Sequence, residues 1–451
     1  MTTQQSPDEL AELAELMRQE QETTDHPPRA DPTIPRARRR RPLIITAVVM
    51  SVMLAVVGGY VGWALTASLA APVVVSRVPV APTPPTATLA LPVEGSSAIS
   101  VSGADEYFGA TASGIWSTSG TAEPRPIASI SKLITALVIL DAKPLASADD
   151  PGPTITFDKA DHDLYDKYYV LGATIVAMPT GSSMSQHDAL ATMLVPSASN
   201  YAEAVSTWAF GSQSAFLRAT RDWLAAHGMT GTTIVEPTGI SPRNTSTPVD
   251  LLALGKLAAA HPVIAGIVAT PSLYLQGLGW LSNTNDLLGV DGITGLKTGN
   301  LGEGTYSLLY TATVDVGATA PLKVTGVMLG GSSRYSVDLS VRNVLESIRY
   351  GFRDVALTSG GQEIGSLSTP WGSTARLIVG SSASILTWSD TPITVTMENT
   401  TPTTYTDGEV VGTITWNAGP NTATVPVEIE GSIEPPTAWW RLTHPAELGE
   451  R

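Results

Sequence analysis

The chain has 451 residues, enough for two or three domains each with its own core, and 43% of them are hydrophobic. A formal net charge of −15, with the only dense basic run at Arg36–Arg41, argues against nucleic acid as a partner. The absence of cysteine removes disulfides, thiolate metal ligands and cysteine nucleophiles, and it is compatible with folding outside a membrane without oxidative chemistry.

In chain order, residues 1–42 read as a cytoplasmic tail. Its stretch Asp8–Met17 has the composition of a solvated charged helix, and Pro27–Pro35 that of a disordered segment. Leu43 to Leu69 is an apolar run broken only by small or weakly polar residues, longer than the roughly 20 residues that cross a bilayer. Arg36 and Arg38–Arg41 stand immediately before it. The positive-inside rule therefore predicts a single-pass helix at 43–69 in the plasma membrane, with everything after it on the extracellular side. A cleaved signal peptide ending near Ala67–Ala71 is the competing reading, but the apolar core and its leading segment are both too long for one. Residues 70–95, rich in Pro, Val, Thr and Ala, read as an extended linker.

The next element is Ser129-Ile130-Ser131-Lys132 at the head of the apolar stretch Leu133–Leu140. Positions three apart on a helix share a face, so Ser129 and Lys132 meet one turn apart. The hydrophobic turns that follow predict a buried helix, in which an unpaired lysine is expensive. Desolvation lowers the pKa of such a lysine, and a neutral amine can take a proton from the neighbouring hydroxyl. A capping serine followed by a surface lysine gives the same spacing, so the pair gains weight only in company.

Two further segments supply that company. Met193–Val205 contains Pro196-Ser197-Ala198-Ser199-Asn200, a loop serine leading into a helical pattern, and Asp291–Gly299 ends in Lys297-Thr298-Gly299 before the predicted strand Thr305–Val314. The three segments, in this order and at these separations, resemble the low-molecular-mass penicillin-binding proteins, the serine-type D-alanyl-D-alanine carboxypeptidases. Val235-Glu236-Pro237-Thr238-Gly239-Ile240, the run Asn244–Leu254 and Asn283–Leu288 extend the likeness, which runs from about Ala98 to Phe352 and more loosely beyond.

The elements around these motifs agree with that fold. Helical patterns near Gln186–Val195, Tyr201–Trp208 and Ala215–His227, and a strand pair Tyr306–Val314 and Leu322–Leu329 flanked by the Lys-Thr-Gly strand, predict an α+β domain over 96–353. Its form would be an antiparallel sheet with helices packed on it, the penicillin-binding or β-lactamase-like domain. From 354 to 451 short alternating runs such as Arg376–Val379, Ile393–Met397 and Thr422–Ile429 predict a β-rich module. Trp439-Trp440 near its end read as aromatics closing that module's core, with a membrane or wall contact as the alternative.

The resemblance implies acyl transfer without a cofactor or a metal. Ser129 would attack the carbonyl of the penultimate D-alanine of a peptidoglycan stem peptide, with Lys132 as general base and Ser197 and Lys297 relaying a proton to the leaving amine. The oxyanion hole would be the backbone N–H groups of Ser129 and Asn300. The strand edge at Lys297–Gly299 would receive the peptide, with Gly299 allowing close approach. Thr298 and an arginine, Arg334 first and Arg342 second, would hold the terminal carboxylate. β-Lactams would acylate the same serine.

One departure is plain. The family's second motif is Ser-x-Asn, whereas this chain has Ser197-Ala198-Ser199, with Asn200 one place late. Either Ser199 serves with a shorter hydroxyl, or Asn200 reaches the substrate through a shifted turn, or peptidase efficiency has decayed. Asp161-His162-Asp163 reads as a solvated loop rather than a metal cluster. Glu236 reads as a loop residue, since Ile240 occupies the position where a β-lactamase would keep asparagine. The alternatives to a membrane-anchored carboxypeptidase are a β-lactamase or esterase on the same site, or a catalytically impaired wall-binding protein.

Overall fold

Alternation along a few strands decides the architecture. Leu309, Val327, Leu329 and Ala98 join one hydrophobic core, while Leu308, Tyr310, Met328 and Ile99, their neighbours in sequence, join another. Side chains one apart on a strand point to opposite faces, so this sheet is covered on both sides. In the computed structural model, which describes residues 40–449, the sheet has the strand order Ile293–Gly299, Tyr306–Val314, Leu322–Gly331, Ser96–Ser102 and Ser117–Ser119. Every pairing is antiparallel.

One face carries the core built by helices Ser131–Ala142, Gln186–Leu194, Ser199–Phe210, Gln213–Ala226 and Pro248–Ala260. The other carries helix Arg334–Gly351, whose Val337, Val341, Val344, Leu345 and Ile348 repeat at helical spacing. This is the α+β layer arrangement that the sequence predicts. Helix Ser131–Ala142 is buried on every side from Ser131 to Leu140, as its unbroken apolar run requires. Asp158 and Ser333 close capping boxes that start the helices Lys159–Val170 and Arg334–Gly351, which the sequence reading did not assign. His162 therefore lies on a helix, not in a solvated loop, and its Nδ1 is 2.8 Å from the Met178 carbonyl.

The β-rich region is a second sheet in the order Val73–Ser76, Glu363–Ser368, Thr374–Val379, Asn421–Glu430, Val410–Ala418 and Thr394–Asn399. A separate pair joins Phe352–Thr358 to Ala383–Trp388. Trp416, Ile414, Val427, Leu367 and Val379 form its core. Its first strand comes from the segment read as an extended linker: Val73–Ser76 pairs with Gly365–Ser368. Four residues are too short a run to register as a strand without the partner that completes it.

The described chain divides into two compact units, and the elements above belong to one of them. The other gathers the N-terminal segment up to Pro72, Thr369–Trp371 and the C-terminal segment from Pro435. Within it, Leu43–Thr66 of helix Arg40–Thr66 is 24 residues long with a mean hydropathy of 2.3, long and apolar enough to cross a membrane. The short helix Ala438–Thr443 is tied to its end. Arg441 donates to the Ala64 and Ala67 carbonyls at 3.3 and 2.9 Å, and the Tyr60 hydroxyl donates to the Leu442 carbonyl at 2.6 Å. Arginine at carbonyls left open by a helix end is the expected partner. Trp439 and Trp440 thus do not close the β-rich core: Trp439 is 74% exposed, and Trp440 stacks on His444 and meets Trp371 edge-on. The expected helix at Asp8–Met17 and the Pro27–Pro35 segment lie outside the described residues.

Trp416 is fully buried, and its indole N–H has no hydrogen-bond partner. Trp416→Ala is expected to destabilise the β-rich region by about 3–5 kcal/mol through the cavity it leaves. Trp416→Phe costs much less, because no hydrogen bond is lost. Denaturant unfolding of the full-length protein in detergent, followed by circular dichroism, measures the difference.

Candidate active site

Ser129 stands on a single 3-10 turn, Ala128–Ile130, that runs into helix Ser131–Ala142. Ala128 holds φ at +49°, a left-handed conformation that a non-glycine residue keeps only when its surroundings enforce it. Two glycines press on this turn. A Cβ on Gly239, itself at φ +83°, would lie 1.9 Å from the Ala128 carbonyl oxygen, and one on Gly299 would lie 2.6 Å from that of Ile127. Gly299 is therefore demanded first by the approach of the strand to the nucleophile turn.

Lys132 follows one turn later, fully buried, and its Nζ donates to Ser129 Oγ at 3.0 Å and to the Thr238 carbonyl at 2.7 Å. Burial draws its pKa down to about 7, against the Glu236 carboxylate, which pulls it up. Near neutral pH a substantial fraction is thus the free amine, a base at hydrogen-bond distance from the hydroxyl.

Lys297 approaches from the edge strand Ile293–Gly299, only 1% exposed. Its Nζ donates to Thr284 Oγ1 at 3.3 Å and to the Thr298 carbonyl at 3.4 Å, and Thr284 Oγ1 lies 2.7 Å from Thr298 Oγ1. Burial, then the positive charges of Lys132 and Arg334, hold its pKa well below the usual lysine range. Among the described residues this strand pairs on one side only, with Tyr306–Val314, leaving an edge for an extended peptide.

Ser197 sits in the turn between helices Gln186–Leu194 and Ser199–Phe210, at φ +69°. Ser129, Ser197, Ser199, Thr284, Thr298, Asn300 and Arg334 all line one cleft of about 170 Å³. Asn200 does not. It is buried in the first turn of its helix, where its amide oxygen accepts from the Val176 N–H at 3.2 Å and its amide nitrogen donates to the Val176 carbonyl at 2.7 Å. The shifted turn that would carry Asn200 to a substrate is absent. Instead Asn200, with the Ser199 N–H donating to the Thr174 carbonyl at 2.8 Å, holds the segment whose Gly172, Ala173 and Thr174 form the cleft wall.

Arg334 opens helix Arg334–Gly351 at the cleft, and its Nη1 donates to the Thr284 carbonyl and to Asp286 Oδ2, both at 3.0 Å. Arg342, the second candidate, lies elsewhere, paired with Asp291 at 2.7 Å. Asn300 lines the cleft and uses its side-chain oxygen to accept from the Gly302 N–H at 2.7 Å. Thr238 and Thr284 are residues to which the sequence reading gave no role. Their signal was their place in the Glu236–Ile240 and Asn283–Leu288 runs, but only the fold brings them to the lysines. Among the described residues no group of three or more His, Cys, Asp or Glu is placed to hold a metal ion.

Comparison with known proteins follows this geometry. Residues 110–328 match the family model described as D-alanyl-D-alanine carboxypeptidase. A D-alanyl-D-alanine endopeptidase of Pseudomonas aeruginosa is 31% identical over 199 residues, which is 42% of this chain and 60% of that protein. One of Escherichia coli is 33% identical over 147 residues, 32% of this chain and 44% of that protein. The chain thus spans less than two thirds of each of these relatives. Among solved structures, penicillin binding protein 6B from Escherichia coli superposes with a TM-score of 0.51 at 19% identity, covering 78% of this chain and 98% of that one. A peptidoglycan synthesis regulatory factor, PBP3, from Streptococcus pneumoniae gives 0.50 at 18%, covering 77% and 100%. At these identities the two structures speak for the fold.

Removing the Asn200 amide leaves both backbone groups of the half-buried Val176 without their side-chain partner. Asn200→Ala is expected to lower stability by about 1–3 kcal/mol. Ser199→Ala, at a cleft position whose side chain holds up no such segment, is expected to leave the melting temperature nearly unchanged. Thermal unfolding of the two variants beside wild type separates the structural position from the cleft position.

Proposed function

We propose, from the match of residues 110–328 to the family model described as D-alanyl-D-alanine carboxypeptidase, that this chain is a membrane-anchored serine peptidase that removes the terminal D-alanine from peptidoglycan stem peptides. The observation that carries the reading is the fully buried Lys132 amine, 3.0 Å from Ser129 Oγ.

The reaction runs as acyl transfer. Ser129 Oγ attacks the penultimate D-alanyl carbonyl while Lys132 Nζ takes the hydroxyl proton. The negative charge that develops on the carbonyl oxygen is met by the backbone N–H groups of Ser129 and Asn300. Collapse breaks the C–N bond, and the proton that Lys132 took passes through Ser197 and Lys297 to the leaving amine, which restores the free Lys132 amine. Water then attacks the ester, Lys132 takes a proton from it and returns one to Ser129 Oγ as the ester C–O bond breaks, and the shortened peptide is freed. Thr298 and Arg334 bind the substrate's carboxylate. Arg334 is already held at the cleft by Asp286, so little side-chain freedom is lost on binding. The apolar helix would anchor the protein, with the arginine-flanked tail inside and the peptidase domain on the wall side.

A second reading uses the same chemistry. The P. aeruginosa and E. coli relatives are endopeptidases, and an amide at a cross-link differs from the terminal one only in the amine that leaves. Incubation with a stem pentapeptide and with a cross-linked dimer, read by mass spectrometry, distinguishes the two: loss of one alanine supports the carboxypeptidase, and dimer scission the endopeptidase.

Wild-type protein is expected to label with a fluorescent penicillin and Ser129→Ala to lose all labelling. Failure of well-folded wild type to label would overturn the acyl-enzyme reading in favour of a wall-binding protein. Steady penicillin hydrolysis in place of a long-lived adduct would favour a β-lactamase. Because the base is the neutral amine, acylation is expected to be slow at acid pH and to rise as pH passes through about 7 to a plateau above it.

A further inference from the structure

Glu236 has no place in this mechanism, yet its carboxylate is the most heavily bonded group near the site. Its Oε2 accepts from the Thr238 N–H and hydroxyl, each at 2.7 Å. Its Oε1 accepts from the Gly239 N–H at 2.7 Å, the Ser241 N–H at 3.2 Å and the Asn244 amide at 3.1 Å. These bonds wrap the turn Pro237–Ser241 around one carboxylate. The carbonyls on the turn's far side face the nucleophile helix: Thr238 O receives Lys132 Nζ at 2.7 Å and Pro237 O receives Thr135 Oγ1 at 2.8 Å. Gly239 abuts the Ala128 carbonyl that precedes the nucleophile. The Asn244 amide also donates to Ser131 Oγ at 3.1 Å, between Ser129 and Lys132 in sequence.

We propose that Glu236 is a positioning residue of the Ser129–Lys132 pair: its carboxylate fixes the turn that presents the Thr238 carbonyl to Lys132, and its charge sets the balance between the ammonium and the amine. The inference rests on the assignment of Ser129 and Lys132 as nucleophile and base. The other charged and titratable groups around Lys132 cannot supply that anion. Lys297 on the edge strand and Arg334 beyond it are basic groups and carry no negative charge. Tyr168, from helix Lys159–Val170, is held in its neutral form by burial and by donating to Glu203 at 2.5 Å. Glu203 is itself engaged by Lys167 at 2.5 Å. Glu236 is thus the carboxylate that opposes the desolvation of Lys132.

The sign of the effect separates this role from scaffolding. Removing the negative charge favours the neutral amine, so the rise of acylation with pH moves to lower pH. A purely structural loss lowers the rate at every pH and leaves the midpoint in place. The experiment measures the rate of fluorescent-penicillin acylation against pH for full-length wild type, Glu236→Gln, Glu236→Asn and Glu236→Asp. The neutral variants are expected to show a plateau lowered by roughly ten- to a hundredfold, since an amide nitrogen cannot accept the bonds of the oxygen it replaces. Their midpoint is expected below that of wild type. Glu236→Asp, which keeps the charge, is expected to keep the wild-type midpoint.

An unmoved midpoint in a folded neutral variant overturns the proposal. So does folding of Glu236→Asp alone with both neutral variants unfolded, because the charge then serves the fold itself. Absence of labelling in wild type would be a failure of the nucleophile assignment, distinct from either.

Discussion

Everything around the cleft turns on keeping the Lys132 amine dry. An ammonium group buried without a partner carboxylate at contact distance loses hydration that two hydrogen bonds, to Ser129 Oγ and Thr238 O, only partly replace. That deficit makes the lysine basic at neutral pH without leaving it permanently charged. The surrounding elements follow from it. The helix that carries Lys132 must be apolar on all sides, so it runs through the interior instead of along the surface. A second buried lysine, Lys297, meets the like charges of Lys132 and Arg334, which add to its own burial in disfavouring its protonation.

Dryness has a geometric counterpart. Ser129 reaches the cleft from a turn packed on two sides by backbone, and at Gly239 and Gly299 the packing is too close for any side chain. With that packing in place, Ala128 is held at positive φ directly before Ser129, where isolated chains would seldom stay. Strain of this kind persists only where the surroundings over-determine it. Here they do, because the edge strand, the 236–241 turn and the buried helix all bear on the same few atoms.

The three motifs that meet at the cleft were legible in the sequence because each is local: a serine and lysine one helical turn apart, a loop serine before a helix, and a glycine-terminated strand. The strands of the main sheet were legible as well, since their apolar residues mark buried faces. What escaped was set by distant partners. Val73–Ser76 becomes a strand only because Gly365–Ser368 offers it an edge. Trp439 and Trp440 sit on a short helix tied to the end of the apolar one by Arg441, which finds open carbonyls more than 370 positions away in sequence. Glu236 looked like a loop residue because its five donors come from a turn whose shape is visible only once it is formed. His162 was misread as loop because the capping box that starts its helix was not recognised.

The second motif shows how far one position can matter. In Ser197-Ala198-Ser199-Asn200 the asparagine lies one residue late, and on a helix one residue is a rotation of about 100°. That rotation takes Asn200 out of the cleft and into the wall, where both ends of its amide are saturated by Val176. It cannot turn to a substrate without taking from the Val176 N–H and carbonyl their side-chain partner, a loss larger than one new hydrogen bond returns. The polar groups at this side of the cleft are then the hydroxyls of Ser197 and Ser199. A hydroxyl donates once and reaches less far than an amide, so this side of the cleft offers shorter polar groups than an asparagine would. The late asparagine therefore shapes the cleft wall and leaves the Ser129–Lys132 contact as it stands, because the wall that Asn200 supports and the turn that Glu236 wraps are separate parts of the fold.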